Sequence, residues 1–438
     1  MPEAIRRKRS NAERAHAFCR NTDKKLQGRI FFLNRFFYPD HSATSQLLGD
    51  IAFHLADSGE SVHVVTSRLR YDDPEARLER ETDERGVVIH RVWTSRFGRH
   101  WLPGRAIDYL TFYLSAGWAL LRLLQRGDVL VAKTDPPMIS VMAAAVARLK
   151  GARLVNWLQD LYPEVAVVLG VPGLVTPLVS ALEFLRNRSL RAASMNVVLG
   201  HRMRQRIEKL GVAPERVTVI PNWSDGHHIR PISRSDNPLR RDWGLGERFV
   251  VGYSGNFGRS HEFGTVLDAA ARLSSDATVA FLFIGGGAQR EGVEREVAQR
   301  SLGNCVFQPY QPRDALAGSL GAADVHLVTL KPELEGLIVP SKIYGVLAAG
   351  RPVLFVGDRH GELGELVESQ RIGFVVDPGD AAALETHIRW LAAHDDEWQA
   401  MGSRARALFE ARFDRHIALS GWSALLDDAL EFEGEPEK

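Results

Sequence analysis

Apolar and polar positions along this chain follow two spacings: short unbroken apolar runs, and longer stretches with a helical period. Residues 29–34 form a strand-like run, 38–44 a polar loop, about 45–58 a helical pattern closed by Gly59, and 61–66 a second strand-like run. Strand, loop, helix, glycine and strand make a βαβ unit, which requires parallel pairing. The same alternation predicts strands at 87–92, 128–133, 153–157, 195–199 and 217–220, and helices over 109–125, 139–150, 177–192 and 201–209. A polar, turn-rich stretch over 221–246 interrupts the series. A second series starts at 249–254, with strand runs at 279–284, 304–308, 324–330, 352–356 and 373–376, and closes on helical patterns over 380–394 and 397–413. The expected fold is α/β: two doubly wound Rossmann-like domains facing a central cleft. The expected divisions are a disordered basic arm (1–28), a first domain (29–225), a linker (226–246), a second domain (247–395), helices returning to the first domain (396–430) and an acidic tail (431–438). Ligands bind at the carboxyl ends of the strands in such sheets, so the cleft is the expected site.

Composition narrows the chemistry. The chain has 438 residues, 45% hydrophobic and 25% charged, with a net charge of +1, so no global field favours nucleic acid. Its two cysteines, Cys19 and Cys305, exclude a disulfide framework and fit a reducing cytosol. No zinc-ligand spacing and no D-x-D pair occurs, so neither a metal nor another cofactor is expected. No apolar signal core precedes the first strand run. Residues 109–121 are too short to span a bilayer, and Pro172, Gly173 and Pro177 interrupt 165–182. Arg, Trp and Phe cluster over 96–105, with Tyr109 following in the apolar helix 107–124, a composition suited to a membrane surface. A packed helix with snorkelling arginines is the plainer alternative.

The richest stretch is Glu335-Gly-Leu-Ile-Val-Pro-Ser-Lys-Ile-Tyr-Gly-Val-Leu-Ala-Ala-Gly-Arg-Pro-Val353, between two strand runs. A helix starting at Pro340-Ser341-Lys342-Ile343 offers free N–H groups and a positive end to a phosphate, with Ser341 as a cap and Lys342 as a charge. Ser254-Gly-Asn-Phe-Gly-Arg-Ser-His261 follows the first strand of the second domain. Gly255 and Gly258 allow close backbone approach, and Arg259 can reach a phosphate. Alone, the segment reads as a tight turn with a surface arginine; paired with the Lys342 helix start, which puts a glycine turn, an arginine and a lysine at strand ends of one domain, it reads as a phosphate site. Ile284-Gly-Gly-Gly-Ala-Gln-Arg290 is a third glycine turn, with Gly286 open to a base. It is not G-x-G-x-x-G and has no acid placed for a dinucleotide ribose, which disfavours a dehydrogenase. In the first domain, Trp157-Leu-Gln-Asp-Leu-Tyr-Pro-Glu164 brings Asp160 and Glu164 to the cleft, where Asp160 can orient an acceptor hydroxyl or cap a helix.

These segments, with Ile220-Pro-Asn-Trp223, Tyr253-Ser-Gly-Asn256 and Leu347-Ala-Ala-Gly-Arg-Pro352, resemble the retaining family 4 glycosyltransferases of GT-B fold. Within that family they look like the bacterial O-antigen and colanic-acid sugar transferases, including fucosamine transferases. The resemblance spans roughly 29–413. It implies a nucleotide-sugar donor, usually a UDP-sugar, held by the second domain. Gly255, Asn256, Arg259 and Lys342 would contact the diphosphate, with Ser341 and Ile343 at the same helix start. Glu335 would lie near the donor sugar, and Tyr310 and Gln311 near the base. Asp160 would face the acceptor, and the loop 40–44, with His41, Ser42 and Thr44, would close over the reacting centre. The acceptor would be a polyprenyl-diphosphate-linked sugar at the inner face of the cytoplasmic membrane. A final helix, for which 397–413 is the candidate, would return to brace the first domain. One departure stands out: the second of the family's paired glutamates is replaced by Gly345. A nucleotide-sugar epimerase of similar fold and a catalytically decayed assembly subunit are the alternatives.

Overall fold

The computed structural model describes residues 28–431 apart from 41, 72, 74 and 99–101. The expected basic arm, the acidic tail and His41 therefore lie outside the described residues, save Gly28 and Glu431 at their edges. Two sheets carry the architecture. The first holds β1 (Ile30–Leu33), β2 (Val62–Ser67), β3 (Glu81–Glu84), β4 (Val87–Val92), β5 (Val129–Lys133), β6 (Arg153–Trp157), β7 (Met195–Val198) and β8 (Val217–Val219), in the order β3-β4-β2-β1-β5-β6-β7-β8. The second holds β9 (Phe249–Asn256), β10 (Val279–Gly286), β11 (Cys305–Gln308), β12 (Val325–Thr329), β13 (Val353–Val356) and β14 (Gly373–Val376), in the order β11-β10-β9-β12-β13-β14.

Every pairing is parallel except β3 with β4. That hairpin turns at Arg85 and Gly86, both at positive φ, which keeps the twist of the flanking strands. Its outer strand, Glu-Thr-Asp-Glu, leaves a charged edge that resists further pairing. The interior strands are apolar on both faces because helices cover both: Phe31 and Leu33 pack on Phe112 and Leu120 on one side, Ile30 and Phe32 on Leu48 and Trp422 on the other.

In each sheet the chain runs outward on one side and then crosses to the other. The reversals fall between β1 and β5 and between β9 and β12, the crevices where such sheets bind ligands. One apolar cluster crosses the domain junction, joining Leu158, Leu161 and Met203 to Leu337, Ile343 and Tyr344. Antiparallel pairing of Asp160 with Ile338 runs directly across it, and Leu161 N–H donates to Leu337 O at 3.0 Å.

The bracing helix differs from the expectation. Helix Asp395–Arg412 packs on the second domain, with Ala405, Leu408 and Phe409 against Tyr344 and Ala348. The chain turns at Phe413 and Asp414, and a further helix, Arg415–Glu431, returns to the first sheet. Its Trp422 is fully buried against Trp157, ring centroids 4.7 Å apart. Residues 415–431 carry enough apolar positions for that face, but the polar pair Asp414-Arg415 is all that marks the break between the two helices in sequence.

Candidate active site between the two sheets

Lys342 sits at the reversal point of the second sheet. It opens the helix Lys342–Ala348, which is only seven residues long. Its Nζ donates to Tyr253 Oη, lies 3.8 Å from the Tyr253 ring centroid, and is 3.2 Å from His261 Nε2. Tyr253 is on β9 and donates its hydroxyl hydrogen to Asn256 O at 2.8 Å. His261 Nδ1 is 2.7 Å from Thr329 O, the last residue of β12. A carbonyl can only accept, so Nδ1 carries the hydrogen and Nε2 faces the ammonium with its lone pair. Both neighbours of Lys342 are thus held as acceptors by backbone carbonyls. Among the described residues no carboxylate pairs with Lys342. Burial alone holds its ammonium pKa well below the ordinary lysine value, and the same burial, with Lys342 beside it, pushes His261 down to about 3.

Glycine turns surround this cation. Gly255, at φ +133°, is the last residue but one of β9, and a Cβ there would stand 3.5 Å from Lys342 Cε. Gly287, at φ +137°, lies so close to Asn256 Oδ1 that a Cβ would fall 2.2 Å from it. Arg259, on the turn after β9, is exposed and has no hydrogen-bond or ion-pair partner among the described residues. Tyr310 is exposed and donates to Gly286 O at 3.0 Å, while Gln311 turns to Pro309 O.

Three expected roles need revision. Ser341 makes no capping hydrogen bond, because its own backbone is helical (φ −67°, ψ −18°) and its side chain is exposed. Ile343 is fully buried in the junction core and its N–H turns to Pro340 O, so its side chain cannot meet a ligand. Glu164 does not face the cleft. It forms a two-pronged ion pair with buried Arg186, at 2.6 and 3.0 Å. Glu335 accepts the N–H of Glu362 at 2.8 Å, at the start of helix Glu362–Ser369. Burial there, with Glu362 and Asp358 nearby, raises its pKa. Glu362 in turn accepts the N–H of Arg202 from the first domain at 2.8 Å, so the two carboxylates link the donor-side loop to the opposite domain.

The first domain mirrors this arrangement. Lys133 ends β5, is 1% exposed, lies 3.6 Å from the Trp157 ring centroid and donates to Thr44 O at 2.9 Å. It therefore anchors the first turn of helix Ala43–Asp57. Asp40 holds the preceding loop by accepting the N–H groups of Ser42, at 2.7 Å, and Tyr71. Ser42 Oγ is buried without a partner. Arg35 N–H to Asp135 O, at 2.8 Å, ties the loops after β1 and β5. Thr134 Oγ1 donates to Trp157 O at 3.1 Å and accepts from Gln159 N–H at 2.7 Å, tying the β5 loop to the one carrying Asp160. Burial, reinforced by Asp135, pushes the Asp160 carboxyl up to about 6. Tyr253 and His261 stood inside the sequence motifs without a role of their own, and Lys133 was not legible as a site residue; its one sequence signal was a lysine closing an otherwise apolar strand.

Two facing α/β domains with ligand crevices at both reversal points define the GT-B class of fold. Residues 44–223 match the glycosyl transferase 4-like domain, and residues 236–408 match glycosyl transferases group 1. Each half of the chain thus matches a glycosyl transferase domain, and the fold is that of the GT-B glycosyltransferases. A putative colanic acid biosynthesis glycosyl transferase, WcaI, of Escherichia coli (strain K12) is 32% identical over 252 residues, 56% of this chain and 61% of that protein. A probable glycosyltransferase, WbjE, of Pseudomonas aeruginosa is 28% identical over 308 residues, 70% of this chain and 76% of that protein. Among solved structures, Anabaena Alr3699/HepE in complex with UDP-glucose superposes with a TM-score of 0.69 at 18% identity, over 91% of this chain and 99% of that one.

Proposed function

We propose that this protein is a metal-independent, retaining glycosyltransferase that moves a sugar from a UDP-sugar to a polyprenyl-diphosphate-linked saccharide during cell-surface polysaccharide synthesis. The observation that carries the proposal is Lys342: a half-buried ammonium at the reversal point, held by two acceptors and balanced by no carboxylate among the described residues. Such a cation lacks its counter-ion until an anion arrives, and a nucleoside diphosphate supplies one. Lys342 and Arg259 then stabilise charge as it develops on the departing diphosphate, usually the largest single catalytic contribution. Asp160 orients the acceptor hydroxyl from the opposite domain, and front-face attack retains the anomeric configuration. The UDP-glucose complex of the Anabaena structure supports the choice of nucleotide, and the colanic acid relative supports a polysaccharide pathway.

The inner membrane surface is part of the same reading. No described helix is long and apolar enough to cross a membrane. Helix Leu102–Leu123 nevertheless has two apolar faces. Phe112, Ala116 and Leu120 are buried against the sheet, while Ile107, Leu110, Leu114 and Trp118 are exposed, the last three by 55–66%. Arg122 lies over the Trp118 ring at 4.5 Å. An exposed apolar row edged by arginine suits the headgroup region of anionic lipid.

Thermal stabilisation by UDP-, GDP- and dTDP-sugars, followed by transfer assays on isoprenoid-linked sugars, tests the proposal. Stabilisation by a UDP-sugar with transfer at retained configuration is expected. Epimerisation of the donor without any acceptor, or stabilisation by no nucleotide sugar, contradicts it.

A further inference from the structure

Beside the cleft, a cavity of about 230 Å³ opens at the carboxyl ends of β2 and β4, lined by Arg68, Leu69, Arg77, Trp93, Thr94 and Arg96. Three guanidinium groups line it, and all three keep free donors. Arg68 donates only its Nε to Leu78 O, at 2.8 Å. Arg96 donates one terminal nitrogen to Glu75, at 2.6 Å. Arg77 has no partner among the described residues. Among the described residues the one carboxylate paired to these groups, Glu75, has an 81% exposed side chain, so it neutralises little of their charge.

The cavity is continuous with an apolar surface. Trp93, on its wall, is 63% exposed, and Phe97, three residues beyond Thr94, is 57% exposed. Buried Asp108 fastens this segment to the helix Leu102–Leu123: it accepts the Ser95 hydroxyl at 2.6 Å and the Phe97 and Gly98 N–H groups at 3.0 Å. The exposed row Ile107, Leu110, Leu114 and Trp118 therefore starts beside the arginine cavity and runs away from it along a rigid helix.

We infer that the Arg68–Arg77–Arg96 cavity binds the diphosphate of an isoprenoid diphosphate, whose chain lies along the exposed row of helix Leu102–Leu123. Planar guanidinium groups match phosphate oxygens in pairs. An anion joined to a long hydrocarbon is the ligand that uses both the cavity and the row. The inference rests on the lipid-linked acceptor proposed above and gives that acceptor a second anchor, separate from the sugar held near Asp160.

The test uses the full chain with farnesyl diphosphate, inorganic pyrophosphate and farnesol as probes, reading Trp93 fluorescence with Trp93→Phe as the signal control. Farnesyl diphosphate is expected to bind saturably, about tenfold or more tighter than pyrophosphate or farnesol alone. Arg68→Ala/Arg77→Ala is expected to weaken it about tenfold or more while leaving UDP affinity and melting temperature unchanged. Equal binding of pyrophosphate and farnesyl diphosphate overturns the lipid assignment. Unchanged farnesyl diphosphate affinity in the double variant overturns the site. UDP binding is read separately, so failure of the donor site and failure of this cavity give different results.

Discussion

Replacing Lys342 with methionine removes a cation that no carboxylate among the described residues balances, at nearly constant volume. In the nucleotide-free protein the ammonium is disfavoured by burial, the reason its pKa is depressed. The depressed value means the folded state holds the charge less well than the unfolded chain at neutral pH, so Lys342→Met should melt at the same temperature or higher. UDP affinity should move the other way. A hydrogen bond to a charged group contributes about 1.5–3 kcal/mol, which corresponds to a roughly 10- to 150-fold rise in Kd. Tyr253→Phe keeps the ring 3.8 Å from Nζ but removes one of its two acceptors. That loss blurs the ammonium's direction without deleting its charge, so UDP should weaken by about 3- to 10-fold. Titration calorimetry with UDP, beside melting curves, reads both quantities. A folded Lys342→Met protein that binds UDP within about twofold of wild type refutes the donor-site assignment.

Asp160 titrates near 6 because of burial and Asp135, so transfer should decline as pH falls through that value and the carboxylate is lost. Asp160→Asn should remove this limb and lower kcat by about 10²- to 10⁴-fold, and Asp135→Asn should move the limb to lower pH; a pH profile identical to wild type in both variants contradicts the role. His261 and His326 are held neutral by burial, at about 3 and about 4, against an ordinary value of 6.5. The unfolded chain binds protons these histidines refuse, so stability is present above pH 6.5 and lost as pH falls toward 4, by up to ~2 kcal/mol each at pH 5. Urea midpoints should drop over that window, with a shallower drop in His326→Gln; equal slopes contradict the assignment. Serine at Leu110, Leu114 and Trp118 together should weaken sedimentation with phosphatidylglycerol vesicles by about 100-fold while leaving the melting temperature unchanged, because the exposed row makes lipid contacts rather than core contacts. Vesicle binding that survives the triple change places the membrane contact elsewhere.

Periodicity made most of the architecture legible because it records burial. Strands that helices cover on both faces must be apolar throughout, and β1, β5, β10 and β12 are buried along nearly their whole length. Turn glycines marked the strand ends for an equally local reason: Gly255 and Gly287 need backbone angles that side chains disfavour. What the sequence left unread were partnerships. Glu335 and Glu362 are 27 residues apart, and Arg202 is 160 residues from Glu362, yet one hydrogen-bonded line joins all three. Nothing local distinguishes an acid that meets a ligand from one that receives a backbone N–H.

Residue pattern alone specified the parallel strands of both sheets, their ends and the glycine turns, though not the antiparallel edge strand β3, because each depends on conformational preferences and burial within a few residues. Only the folded chain decided that the Lys342 ammonium would rest against Tyr253 and His261, that Ile343 would turn into the junction, and that helix Arg415–Glu431 would close on Trp157. Those outcomes depend on which distant surfaces meet. Hydrogen-bond direction and the balance of buried charge are set by the meeting, not by either partner's neighbours in the chain.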